Sequence, residues 1–283
     1  MSTVHRLTAA TVHSSWSGAH APVLTVRSGD EVAFECRDGF DGQLRGRASG
    51  PLGDNDLAGL DFGRIAPLTG PIRVEGARPG DGLSVQILDL APSGPGWTVV
   101  WPQWCGFDYH RPATVPPSGH LRVFDAETLR GGGSVELGPA RVPVAPMLGM
   151  IGLAPAKGRF PTQPPREFGG NLDLRLVGPG AIVRLPVLVD GANLSVGDGH
   201  AAQGDGEVCT TAIECAMTGR LRVWVEPGAA PTQPEVETPE AYITTGYGRT
   251  LDDAVRMAID GMHGWLCRRG LNPVDAYMLL SIA

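Results

Sequence analysis

Apolar and polar positions alternate through the first third of the chain. After the turn "RSGD", Val32, Phe34 and Cys36 alternate with Glu31, Ala33 and Glu35, the pattern of a strand with one face buried. "GLSVQILDL" repeats the pattern after "ARPGD". Residues 22–90 therefore predict short strands joined by turns. Residues 91–165 read as loop-rich. Their segment "WTVVWPQWCGFDYH" gathers three of the six tryptophans beside prolines, which suits aromatic packing under a long loop or the wall of a pocket. Strands return over 171–226, in "AIVRLPVLV" and "LRVWVEP".

Beyond the Pro-rich stretch "PGAAPTQPEVETPEAY" the period changes. Leu251, Val255, Ile259, Met262 and Leu266 fall on one face at helical spacing. Thr250 with Asp253 approximates a capping box, Gly270 suits the position just past a helix end, and Asn272-Pro273 begins a second helix as N-cap and first residue. The expected fold is mainly β, a β-sandwich or barrel-like body with C-terminal α-helices. The expected organisation is a β-rich metal-binding catalytic body over 1–230. The connector and helices of 231–283 pack on the same domain.

Composition narrows the function. The chain has 283 residues, enough for a sizeable core, with 40 Gly and 25 Pro that show no period, as turn-rich β structure requires. A formal charge of −7 and the lack of any Lys/Arg run exclude a nucleic-acid partner. No window approaches 18 uninterrupted apolar residues, and "MSTVHRLTAATVHSSW" lacks a leader-type apolar core, so no membrane partner is expected. Five cysteines form no CxxC pair, which fits a reduced, cytoplasmic chain.

The chemistry concentrates in "VGDGHAAQGDGEVCTTAIE". Asp198 and His200 are one residue apart, so an extended chain projects both from one face, as two ligands of one cation require. Imidazole with carboxylate suits Zn²⁺, Fe²⁺ or Mn²⁺ better than Ca²⁺. Glu207 can return to the same place across a glycine turn. Glu214 sits among apolar residues, where an unpartnered anion is costly. Asp-Gly pairs are also common turn formers, so the spacing alone leaves both readings open. "GGNLDLRL" places Asn171 and Asp173 on one strand face, and "ECRDGFDGQL" ends a strand with Asp38 and follows it with Gln43.

These segments together resemble the acetamidase/formamidase family. The likeness runs through "VHSSWSGAHAPVLTVRSGDEVAFECRDGFDGQL", "PLTGPIRVEGARPGDGLSVQILDL", "PMLGMIGLAPAKG", "GGNLDLRLVGPG" and "SVGDGHAAQGDGEV" to "NPVDAYMLLS" near the end. It implies hydrolysis of a small amide substrate to carboxylate and ammonia by a metal-dependent amidohydrolase. The fold it implies is β-rich, with a divalent metal, and a homo-oligomer. The middle segments "WPQWCGFDYHRP" and "GGGSVELGPARVPV" depart from the family. On this reading Asp38, Asp198 and His200 hold a divalent metal, with zinc the first choice, and Asp173 is able to exchange with Asp38. Glu207 is the base, and Glu214 acts beside it. Asn171 and Gln43 bind substrate, with Trp104 in the pocket wall. Other amidase families depend on a catalytic lysine, and Lys157 is the only lysine here, in a Gly/Pro-flanked loop. Covalent catalysis by Cys209 is the weaker choice. A cyclic-amide hydrolase or a non-catalytic metal-stabilised β module are the other readings.

Overall fold

A computed structural model of the chain describes residues 3–105 and 111–283, without the side chains of Asp54 and Trp104. Its centre is a pair of long antiparallel strands, Gly82–Val100 and Glu214–Glu226. From this pair the hydrogen-bonded path runs one way through Leu194–His200 and Met147–Gly152 to Gly169–Asn171. The other way it runs through Ile182–Pro186 to Glu235–Glu237 and Tyr242–Thr244. Glu31–Cys36 and Leu68–Val74 branch from that path.

One buried cluster takes side chains from every part of this branched sheet. Val32, Phe34, Val85, Ile87, Val183, Leu185, Val196, Leu221 and Val223 all belong to it. Strands from both ends of the path share one core, so the sheet is curled over onto itself, and the expected mainly β, sandwich-like body is present. Each such side chain contributes about 1.5–3 kcal/mol on full burial, which is the main force closing the body.

The loop-rich reading of 91–165 gives way to several strands, three of which join the main sheet. The strand expected to end near Leu90 continues to Val100, carrying Pro92 and Pro95 within it. Pro92 lies opposite Met217 where the register shifts between Cys215 and Met217, and a bulge spares it the ladder hydrogen bond that proline cannot make. Gly119–Phe124 then pairs with the far end of that strand. Met147–Gly152 has all six residues buried, so it shows no alternation for a sequence reading to find.

Beyond 230 the Pro-rich stretch carries two short strands, Glu235–Glu237 and Tyr242–Thr244, before the helices Leu251–Arg268 and Pro273–Ile282. The helix signals hold. The Asp253 amide donates to Thr250 Oγ1, Asn272 Oδ1 accepts from Val274 and Asp275, and Gly270 takes a φ of 98°. The apolar face is another matter. Leu266 is buried, but Leu251, Val255 and Ile259 are exposed, and so are Val274, Tyr277, Met278 and Ile282 on the second helix. No helix among the described residues is long and apolar enough to cross a membrane.

Candidate functional site

The end of one core strand and the start of the next build the site. Leu194–His200 carries Asp198 and His200, and Glu214 opens Glu214–Glu226 directly opposite His200 in the antiparallel register. The connecting loop brings Glu207 back over the pair. Asp173 follows Gly169–Asn171, which lies beyond Met147–Gly152 in the sheet. Hydrogen-bonded neighbours thus bring together residues that are 41 positions apart between the outermost, Asp173 and Glu214.

Ligand-type atoms of Asp173, Asp198 and His200 lie within 4.8 Å of one another, and so do those of His200, Glu207 and Glu214. His200 is common to both sets. Its Nε2 stands 3.2 Å from Glu214 Oε1 and 3.6 Å from Asp198 Oδ1. Its other nitrogen, Nδ1, lies 2.8 Å from Gln203 Oε1. The amide oxygen accepts only, so Nδ1 carries the proton and Nε2 faces the carboxylates. Gln203 in turn donates through Nε2 to the Asp173 main-chain oxygen, which ties both ligand sets together. Gln203 was not among the residues singled out from sequence. Its position three residues after His200 was the available signal.

Two glycines make room for the carboxylates. A Cβ at Gly149 would stand 2.7 Å from Asp173 Oδ1 and 2.9 Å from Asp198 Oδ2, and one at Gly39 would stand 2.6 Å from Glu214 Oε2. Asp173, Asp198 and Glu207 all have positive φ, at 41°, 56° and 41°. Such strain in non-glycine residues persists only where surroundings over-determine it, and it gathers at functional sites.

Electrostatics follow from placing four carboxylates around one imidazole in a dry interior. Burial, then the Asp198 charge, hold Asp173 well above the usual carboxylate range. Burial raises Glu207, and raises Glu214 to about 8. Burial also works against ionised Asp198, but the His200 charge beside it outweighs burial and holds the group low. Burial disfavours the His200 cation, yet Glu214 and Asp198 lift it well above its ordinary value. Groups that share protons so readily are groups from which a divalent cation displaces them.

The donor set fits such a cation. Asp173 Oδ1 and His200 Nε2 are buried without a hydrogen-bond partner, and both face the cluster. Asn171 is beside them. Its Nδ2 donates to Asp173 Oδ2, while its Oδ1 is buried and unpartnered. Imidazole and carboxylate together are the ligands of Zn²⁺, Mn²⁺ or Fe²⁺.

The structure does not bring every expected residue here. Asp38 accepts from the Phe40 amide through Oδ1 and from the Gly42 amide through Oδ2, both at 3.0 Å, so it caps the turn that carries Gly39 to the cluster. It belongs to neither ligand set. Gln43 exchanges two hydrogen bonds with the Asp61 main chain, at 3.1 and 2.7 Å, and staples a loop. Trp104 falls in the 3-10 turn Gln103–Cys105, and its side chain lies outside those described. Lys157 is exposed, and Cys209 turns its thiol to the Thr211 main-chain oxygen. Buried Cys36 has its thiol pushed up to about 12, which leaves no thiolate nucleophile there.

A chamber of about 100 Å³ adjoins the cluster, bounded by Asn171, Asp173, Asp198, Glu207 and Glu214 together with Trp97 and Met150. A wider space of about 580 Å³ shares Phe40, Ile65, Asn171, Asp173 and Glu207 with it as lining residues.

The acetamidase/formamidase family profile matches residues 3–161 and 156–283. An acetamidase from Mycolicibacterium smegmatis is 30% identical over 253 residues, covering 69% of this chain and 61% of the relative. A formamidase from Methylophilus methylotrophus is 30% identical over 264 residues, covering 76% and 63%. The chain thus spans about three fifths of the length of these curated relatives. Among solved structures, an acetamidase from Bacillus halodurans matches with a TM-score of 0.85 at 34% identity, over 98% of this chain and 89% of that one. An acetamidase from Yersinia enterocolitica matches with a TM-score of 0.87 at 30% identity, over 99% and 86%.

Proposed function

Because the chain belongs to the acetamidase/formamidase family, we propose that it hydrolyses small neutral amides to carboxylate and ammonia with a divalent cation, zinc by preference, held by Asp173, Asp198 and His200. The observation that carries this reading is the convergence of those three residues on one point beside a small chamber. A bound cation of this kind would polarise the amide carbonyl and lower the pKa of water from about 15.7 toward 7.

The remaining work falls to side chains. Glu207 borders both the chamber and the wider space, so it can take a proton from the attacking water and pass it to the departing nitrogen. Glu214 accepts from the Ala212 amide at 3.1 Å and holds His200 in place from the opposite strand. Asn171 Oδ1 is an acceptor without a partner, and an amide NH₂ supplies the donor it lacks. Trp97, Met150 and Ile65 exclude bulk water around the reacting carbonyl.

We read the protein as a homo-oligomer. The exposed apolar face of the two C-terminal helices supports this, since monomers rarely leave such a run uncovered. All five cysteines are unpaired, which supports a reducing, cytoplasmic setting. Sedimentation of the purified chain tests the first point.

The decisive assay is ammonia release from formamide and acetamide, before and after chelation, with zinc added back. Release that stops with the chelator and returns with zinc is the expected result. Release indifferent to chelation would overturn the cation's role.

A further inference from the structure

The chamber beside the cluster, at about 100 Å³, is much the smaller of two adjoining spaces, and Asn171, Asp173, Asp198, Glu207 and Glu214 around it give it the polar lining that suits an amide group. Asn171 Oδ1 suits the NH₂ end, so whatever is attached to the acyl carbon extends outward. Beside the chamber lies the space of about 580 Å³, which shares Phe40, Ile65, Asn171 and Glu207 with it as walls.

That outer space is far larger than a methyl group needs, and Phe40, Ile65, Trp101, Pro165 and Leu172 give it an apolar lining alongside the polar Gln163, Thr210 and Thr211. Phe40 stacks on Trp101 with ring centroids 4.9 Å apart and meets Trp97 edge-on at 5.5 Å. All three rings are buried, so the aromatic wall is packed from behind and stands fixed. Leu172, Pro165 and Ile65 join Phe40 and Trp101 in the apolar lining of the outer space, while Trp97 lines the inner chamber. No Lys or Arg lines either space among the described residues, and four carboxylates stand at the inner end. A substrate carrying its own carboxylate into the outer space would find no Lys or Arg there to pair with it and would lose water against the aromatic rings.

We propose that this outer space is an acyl-group subsite that selects neutral primary amides bearing an apolar group of phenyl or cyclohexyl size, over formamide and acetamide and over amides that carry a carboxylate. The proposal rests on the amidase reading for its chemistry, but the recognition surface can be tested apart from turnover.

The test has two arms on the zinc-loaded chain. The first measures kcat/KM for acetamide, butanamide, hexanamide, phenylpropanamide and the anion succinamate. Each buried methylene is expected to raise kcat/KM about fourfold, so hexanamide should exceed acetamide by about two hundredfold. Succinamate should fall well below butanamide. The second arm titrates two ketones by calorimetry, acetone and phenylbutanone. These replace the NH₂ of acetamide and phenylpropanamide with CH₃ and cannot be hydrolysed.

Phenylbutanone is expected to bind at least about a hundredfold tighter than acetone, and Trp101→Ala is expected to reduce that ratio by about tenfold. Should Trp101→Ala fail to fold, Ile65→Ala carries the same comparison at a half-buried position. Acetamide turnover without preference for the larger amides, together with equal ketone affinities, would overturn the subsite and leave the amidase reading standing. No turnover of any amide, with the ketone preference intact, would overturn the amidase reading and leave the subsite.

Discussion

His200 and Glu214 are direct partners across two antiparallel strands, and their side chains meet with Nε2 3.2 Å from Oε1. The core ladder itself therefore fixes one edge of the ligand set, with no loop to reorganise when a cation enters. A cation that binds only the folded state stabilises it, by about 2.7 kcal/mol when free metal exceeds Kd a hundredfold. For a chain of this size that corresponds to a rise of roughly 5–10 °C in Tm. Zinc added to the chelated protein is expected to produce this rise in a thermal melt, and His200→Ala to abolish it. An equal rise in the variant would place the cation elsewhere.

Gln203 lines neither of the two spaces described beside the cluster, yet it holds the two parts of the cluster in register. Its oxygen accepts from His200 Nδ1, and its nitrogen donates to the Asp173 main chain. Residues that orient a ligand imidazole typically change metal affinity by about 10–100-fold. Gln203→Ala is expected to weaken zinc binding by that factor, read by competition with a chromophoric chelator. Gln203→Glu, which keeps an acceptor for Nδ1, should recover part of the loss. A variant with unchanged affinity would reduce Gln203 to a loop fastening.

Gly149 is the point where an interior strand runs directly beneath the carboxylates. A Cβ there would stand 2.9 Å or closer to both Asp173 Oδ1 and Asp198 Oδ2. Overpacking in a closed core costs about 1–3 kcal/mol. Gly149→Ala is expected to lose that much stability in a urea melt and to lose metal affinity as well, because the ligands are what must move. Lost stability with unchanged zinc affinity would mean that the strand yields instead.

Local patterns made the strands legible where one face was buried, as in Val32, Phe34 and Cys36. They failed where both faces were buried, as in Met147–Gly152, and where a bulge let proline sit inside a strand, as at Pro92. The cluster was partly legible for the same reason. Asp198, His200, Glu207 and Glu214 lie within one short stretch, and two strands facing each other bring them together. Asp38 was expected as a metal ligand and Gln43 as a substrate contact, but main-chain amides claim the Asp38 carboxylate and a loop claims Gln43. Nothing in a chain's own spacing reveals such competition. The helix face through Leu251, Val255 and Ile259 was also read rightly as apolar, but apolar spacing does not tell whether the face is covered, and here those three side chains are exposed.

His13 reports on acid stability away from the cluster. Its ring stacks on His20 at 4.5 Å, its Nδ1 donates to the Ser15 main-chain oxygen, and its Nε2 lies 2.9 Å from Ser195 Oγ. Arg159, which donates to Ser15 Oγ, adds a further positive charge to the same network. Burial, reinforced by the His20 charge and opposed by the Ser15 hydrogen bond, lowers its pKa from 6.5 to about 4. Between these values the unfolded chain binds a proton that the folded chain refuses, so stability falls as pH drops from 6.5 to 4 and this contribution levels off below. The loss is at most about 3 kcal/mol, less whatever water reaches the half-buried ring. Urea melts at pH 7.5 and 4.5 should show a smaller difference for His13→Gln than for the parent chain. Equal differences would clear His13 of the effect.

Glu207 separates function from stability most sharply. It is a non-glycine residue at a φ of 41°, a conformation that costs roughly 1–2 kcal/mol in an L-residue. Hydrogen bonds from its own amide to Gly204 and from the Thr210 amide to its oxygen hold it there. Glu207 borders both the chamber and the wider space, and the proposed proton transfer is a reason for such a residue to be held under strain. Glu207→Gly should therefore leave Tm unchanged or slightly raised while activity collapses. Glu207→Gln tests the role itself. If Glu207 moves the proton, kcat falls by about 10²–10⁴-fold while zinc affinity stays close to that of the parent. If instead zinc affinity falls as far as it does in Asp198→Asn, Glu207 is a ligand of the cation, and the proton must travel through another group.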